Sequence, residues 1–495
     1  MLNNIQTVTA AKNQVDRYAI YSILFFVVVH FLVAGQFGLS PDEAHYAMYG
    51  FHPALSYFDH PPLVGWLQSI ILTFSSSDFS LRIWPILLSG LTMWNLYRLT
   101  QELFSEESVW LGLYSVLLVQ SAIVYHLLAL ALVPETPLML FSLLAYRYLL
   151  KAIDLNTHRY WLGFGFFLGL AGLSKYTAVT LIFSIVILLL SERRIKELYN
   201  YKMWQALFVA AILISPVFYW NAINDWISFK YQINHGTGSG QWSVVNFLTG
   251  VLGQIVASGP LLFSTAVFGV YLAFSSPKML GRTRLLILAL PNLLLFNWNS
   301  GYVPALPHWT SFGWLVLAPI AVLWLMKYWP KRTLRIGTWS ALIFSYAIIF
   351  AVHLLLVKPA LELEQNKNPF AEFHGWDAAM QKAVEIRDSL RIGGEQEPHI
   401  FIGSWTLASR LAWYGRPEHI MVTDRRFDQF DIWFGSPQKG DRGVFIEWSV
   451  FPAPPHSEAR GNFFDKCELV DKLDIYIDGR MGAEYTYSVC EGYRP

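Results

Sequence analysis

The chain is short of charge and almost without cysteine. Of its 495 residues only 14% are Asp, Glu, Lys or Arg, whereas soluble globular domains carry about 25%. So sparse a supply of charge excludes a water-soluble fold for most of the chain. The 36 basic and 35 acidic residues nearly cancel, to a formal net charge of +1, so no basic excess points to nucleic acid. Both cysteines, Cys467 and Cys490, lie near the C-terminus and none lies in the apolar part. Low-complexity tracts and short internal repeats are lacking. A small-x-small cleavage site is lacking after the first apolar run, 18–35, which therefore reads as a membrane anchor and not as a removed signal peptide.

Apolar and aromatic residues take the place of charge. The hydrophobic fraction is 54%, with 20 Trp, 25 Tyr and 35 Phe, a supply that suits aromatic belts at membrane interfaces. A spanning helix needs about 20 mostly apolar residues. Eleven segments qualify, near 18–36, 82–98, 108–130, 135–150, 160–175, 176–190, 203–220, 250–275, 285–297, 311–327 and 337–357. The stretch 244–275 is too long for one span, so its start is expected to lie along the interface. With a cytoplasmic N-terminus, seventeen Lys and Arg fall in short cytoplasmic stretches, against Arg82, Lys175 and Lys230 on the other side before the C-terminal region. That asymmetry obeys the positive-inside rule. The expected fold is thus a polytopic α-helical membrane domain over 1–357, followed by an extracytoplasmic α/β domain over 358–495.

In the latter, "HIFIGS", "HIMVTD" and "GVFIEWS" read as strands and "WTLASRLAWYG" as a helix. "CELVDKLDIYIDGRMGAEYTYSVC" alternates around Asp478-Gly479, a hairpin signal. Cys467 and Cys490 flank it, so one disulfide on the oxidising side of a membrane is expected, with two buried thiols as the plain alternative. A strict two-residue turn would put that pair at a strained, hydrogen-bonded position, so a longer turn is expected with the disulfide.

On the side with few basic residues, six polar clusters gather. These are Asp42-Glu43 in "LSPDEAHYAMYG", Tyr57, Asp59 and His60 in "LSYFDHPPLVGW", Glu135 in "VPETP", Lys175 and Tyr176 in "SKYT", His235 in "NHGTGSG", and His308-Trp309 in "ALPHWT". Each also has a plain reading. Asp42-Glu43 suits a solvated loop, Glu135 a helix N-terminus, Lys175 a snorkelling interface residue. Asp59-His60 before Pro61-Pro62 suits a turn and helix start, His235 a glycine-rich loop, and His308-Trp309 an interfacial pair. Taken together they describe a reaction. Carboxylates supply a general base and hard metal ligands, and a lysine with a histidine can hold a phosphate. An interfacial loop with Phe and Pro-Pro suits a lipid chain.

These motifs, in this order, resemble the membrane glycosyltransferases of the GT-C class. The Asp-Glu pair after the first span, "YFDHPPL", "PETP", "GLAGLSKYTA", "PVFYWNAINDWISFKYQ", "LPHWT" and "FDQFDIW" are similar to bacterial glycosyltransferase family 39, the dolichyl-phosphate-mannose protein mannosyltransferase superfamily. They are similar also to the lipid A aminoarabinose transferases of family 83. The likeness covers about residues 18–310 well and the C-terminal domain loosely. It implies an inner-membrane enzyme that moves a sugar from a polyprenyl-phosphate donor to a lipid, glycan or protein acceptor on the outer face, with inversion. A lipid A-type acceptor is the first choice.

The resemblance further implies Asp42 as catalytic base with Glu43 orienting it, and a divalent cation at Asp59, with Glu135 as a second carboxylate. Lys175, His60 and Tyr176 are implied at the donor phosphate, and Tyr57, His235, His308 and Trp309 at the substrates. His60 stands where family 83 has a lysine, a departure that shifts the phosphate role toward Lys175. A rival reading, a polytopic transporter or lipid flippase, predicts ionisable residues near the bilayer midplane. Here they gather at one interface.

Overall fold

The computed structural model describes residues 2–495 apart from 238–240, 276–278, 303–305, 359–368, 392–396, 425, 450–462 and 478–479. Each of the eleven apolar segments is a helix or a pair of helices. Unbroken ones are Leu2–Val33, Ile83–Leu103, Glu135–Leu155, His158–Ser174, Val179–Ser191, Tyr201–Ile223, Leu280–Asn299, Ser311–Tyr328 and Arg332–Val357. Two segments break. Leu111–Gln120 and Ile123–Leu130 meet at 75°, Val244–Ser258 and Pro260–Ser275 at 111°. The second bend has a local cause: Gly259 adopts φ +75°, where a side chain is disfavoured, and Pro260 has no N–H to continue the ladder. Among the described residues, four helices are individually long and apolar enough to cross a membrane, and up to six spans result if each bent pair is one. Ile83–Leu103, Glu135–Leu155 and Leu280–Asn299 are 20 or 21 residues long but do not match that apolarity, and the rest are shorter.

The chain forms two compact units, divided differently from the linear boundary at 357. One comprises 1–32, 60–64 and 82–351, the other 33–59, 65–81 and 352–495. Most of the first loop thus packs with the C-terminal residues. Helix Pro41–Phe51 explains why: Ala44, Ala47 and Met48 share one of its faces and enter the same buried core as Trp376, Met380, Leu411, Trp413 and Trp448. These contacts join residues more than 300 positions apart, which local patterning cannot announce.

That core lies against a five-stranded sheet in the order β2-β1-β3-β5-β4, with β1 His399–Ile402, β2 Ile420–Val422, β3 Gly443–Trp448, β4 Phe464–Ile477 and β5 Arg480–Tyr493. β1 is parallel to β2 and β3, while β5 runs antiparallel to β3 and β4. Cys467 pairs with Cys490 across β4 and β5, and the two are disulfide-bonded. The longer turn expected with that bond is absent, since Ile477 pairs directly with Arg480. Instead Val470 in β4 and Gly482 in β5 are extra residues at two register shifts. The cysteine Cα atoms lie 4.1 Å apart, the close spacing of a non-hydrogen-bonded pair. Bulges, not turn length, supply the position.

Candidate active site

In the helical unit, Glu135 opens helix Glu135–Leu155 directly behind Pro134, where the helix dipole favours a carboxylate. Lys175 breaks the helical run between His158–Ser174 and the 3-10 turn Tyr176–Ala178, in extended conformation (φ −157°, ψ 144°). Its ammonium donates to Glu135 Oε1. The two side chains are 9% and 6% exposed, so neither charge is solvated and each depends on the other. The turn Pro307–Thr310 adds His308, with Nε2 3.5 Å from Glu135 Oε1. It also brings the Trp309 ring to 5.4 Å from the lysine ammonium, within cation–π range. His60 contributes to the field at the same carboxylate. One carboxylate therefore faces a lysine and two imidazoles, and a proton on either imidazole leaves the group net positive. Tyr176, next to Lys175, turns its ring to Phe229 at 5.3 Å.

The other unit holds Asp42, Glu43, Tyr57 and Asp59. Ser40 and Glu43 form a reciprocal cap on helix Pro41–Phe51, with Ser40 N donating to Glu43 Oε2 at 3.0 Å and Glu43 N donating to Ser40 Oγ at 3.4 Å. Glu43, expected to orient the base, is thus committed in part to its own helix end. Asp42 is half-buried beside it. Both raise the Glu372 carboxyl above its ordinary value, adding to the larger effect of burial and opposed by Arg410. Arg410 is itself buried over the Trp376 and Trp448 rings at 4.0 and 4.9 Å. Burial pulls its guanidinium down to about 10 against the pull of Glu372.

Asp59 accepts from the Tyr49 hydroxyl, and its Oδ2 lies 3.8 Å from His45 Nε2. His45 Nδ1 is 3.2 Å from Ser409 Oγ. Burial, then Asp59, push the Tyr49 phenol well above its ordinary value, so it stays a donor. Tyr57, expected at a substrate, is fully buried. It stacks on Tyr49 at 3.6 Å and donates to the Tyr49 carbonyl at 2.8 Å. It shapes the loop.

A divalent cation held by Asp59 and Glu135 does not fit these surroundings. Glu135 already meets Lys175 and His308, whose charges oppose another cation, and Asp59 faces Tyr49 and His45. The side chain of His235 lies outside the described residues. His45, Glu372, Arg410 and Gln429 were missed in the sequence. His45 alone carried a readable signal, three positions after Asp42 and four before Tyr49 on one helix.

With this geometry in hand, likenesses to known proteins gain meaning. Residues 59–220 match the Dolichyl-phosphate-mannose-protein mannosyltransferase family. A curated relative, the lipid A galacturonosyltransferase RgtD of Rhizobium johnstonii, is 25% identical over 338 residues, 64% of this chain and 67% of that protein. The fold matches the crystal structure of ArnT from Cupriavidus metallidurans in the apo state with a TM-score of 0.60 and 15% identity, over 97% of this chain and 98% of that one. The same protein bound to undecaprenyl phosphate matches with a TM-score of 0.58 at 15% identity, over 94% and 97%. The chain shares the fold of GT-C membrane enzymes and is similar in sequence to glycosyltransferases of families 39 and 83.

Proposed function

We propose that the chain transfers a sugar from a polyprenyl-phosphate donor to a lipid A-type acceptor on the extracytoplasmic face of the inner membrane, with inversion. The observation that carries this reading is the buried Lys175–Glu135 pair flanked by His308 and Trp309. A lysine kept out of water, and accompanied by imidazoles, is a point charge suited to a phosphate. The Rhizobium relative acts on lipid A, and the matched Cupriavidus protein is seen with undecaprenyl phosphate bound. Both support donor and acceptor of these classes here.

In the step this reading requires, an acceptor oxygen attacks the anomeric carbon as the bond from that carbon to the donor phosphate oxygen breaks. Asp42 takes the acceptor proton. Polyprenyl monophosphate leaves with the electron pair of the broken bond, its added charge met by Lys175, His308 and His60. Where the acceptor is itself an ionised phosphate, no proton need be removed and Asp42 only orients it.

The test is binding of undecaprenyl phosphate to the full-length protein in detergent. A Lys175→Met/Glu135→Gln double variant keeps the buried pair neutral while removing the cation. Its affinity should fall by about tenfold or more, the worth of a charge-assisted hydrogen bond. Unchanged affinity would overturn the assignment.

A further inference from the structure

The stretch "FDQFDIW", residues 427–433, resembles the family but has no part in the chemistry above. In the structure it grips the first-loop segment that ends at Asp59. Gln429 is 3% exposed, and its Oε1 accepts from the Phe58 backbone N at 2.8 Å. It stands at the start of helix Gln429–Phe434, which Asp428 and Asp431 close with a reciprocal cap. From the same short helix, the Trp433 ring lies 5.8 Å from Tyr49 and 5.9 Å from His45. Phe427 meets Phe58 at 6.0 Å. A second helix of this unit, Trp405–Tyr414, supplies Trp405 at 4.9 Å from the His45 ring and the Ser409 hydroxyl at its Nδ1.

Ser409 already donates its proton to the Trp405 carbonyl at 2.7 Å. Its oxygen is therefore open as an acceptor toward His45 Nδ1, and the ring turns its Nε2 edge toward Asp59. The segment is thus held from both ends. The Phe58 amide is fixed by Gln429 just before Asp59, and Pro61-Pro62 restrict the backbone just after His60.

We propose that Gln429 and His45 are positioning residues, through which the C-terminal α/β region holds the Phe58–Asp59 backbone, and with it the adjoining His60, ready for the polyprenyl-phosphate donor. This rests on the donor reading given above. Preorganising a binding segment shows as affinity, because ordering is not charged to each binding event. Neither side chain touches the donor in this account, and each acts through the segment it holds.

The experiment measures the Kd of undecaprenyl phosphate for full-length protein, alongside melting temperature. Gln429→Met removes the acceptor at similar volume and should weaken binding about tenfold, the range for one buried hydrogen bond lost with its partner left unpaired. His45→Ala should weaken it similarly. His45→Gln, whose amide nitrogen reaches where Nε2 was, should recover most of the affinity. His45→Asn, which reaches only the Ser409 side, should not. If all four variants bind as wild type does while their melting temperatures fall, the role is structural only and the proposal is wrong. Equal weakening by His45→Gln and His45→Asn would also overturn it. Wild-type protein that fails to bind undecaprenyl phosphate would instead overturn the donor reading.

Discussion

The two polar groups of this protein are built on opposite plans. Around Lys175, charges are set against one another in apolar surroundings, one carboxylate facing a lysine and two imidazoles. Around Asp59, hydrogen bonds pass from Tyr49 to Asp59 and between His45 and Ser409, clad by Trp405 and Trp433. The first plan keeps a cation buried beside its counter-charge. The second fixes direction.

The strongest way to break the charged plan is to remove one partner. Lys175→Met leaves Glu135 buried without its cation, which should destabilise the protein by about 3–5 kcal/mol, read as a drop in melting temperature. Adding Glu135→Gln should restore most of that stability without restoring undecaprenyl phosphate affinity. If stability and affinity return together, the pair is a structural bridge only. The sheet can be loosened separately. Loss of the Cys467–Cys490 bond, which closes a separation of 23 residues, should cost about 3 kcal/mol by chain entropy. Hydrogen exchange in Cys467→Ser should quicken in β4 and β5 and stay unchanged in helices such as Tyr201–Ile223.

Asp42→Asn probes direction instead of buried charge. It keeps size and much of the hydrogen bonding but removes basicity. Transfer to a hydroxyl acceptor should fall roughly 100-fold or more, the usual worth of a general base, while undecaprenyl phosphate binding stays as in the wild type. The smallest effect concerns Asp428, whose Oδ2 is buried with no hydrogen-bond partner among the described residues. Burial, with Asp424 and Asp431 adding, pushes its carboxyl up to about 6. A carboxyl raised in the folded state holds its proton more tightly there, so its stabilisation is present at low pH and lost as pH rises from about 4 through about 6. Asp428→Asn keeps the cap and should gain melting temperature over the wild type across that window.

Much of the helical architecture was readable because apolar length is a local property. "HIFIGS", "HIMVTD" and "GVFIEWS" became β1, β2 and β3, and "WTLASRLAWYG" became the helix between the first two. What could not be read was long-range. Glu135 and Lys175 are forty residues apart and His308 more than a hundred further on, so their convergence depends on helix packing. The grip of Gln429 on Phe58 spans 371 positions. Tyr57 looked available because an interfacial loop was expected, whereas it is buried against Tyr49 and the carbonyls of its own loop.

The central claim is sugar transfer onto a lipid with Asp42 as base, and lipid mass spectrometry tests it most directly. Membranes should be compared from cells carrying the wild-type gene, no gene, or the gene encoding Asp42→Asn. The account predicts a lipid A-type species heavier by one glycosyl residue with the wild-type gene, absent without it and barely restored by Asp42→Asn. Identical lipid profiles in all three, or full restoration by Asp42→Asn onto a hydroxyl acceptor, would contradict it.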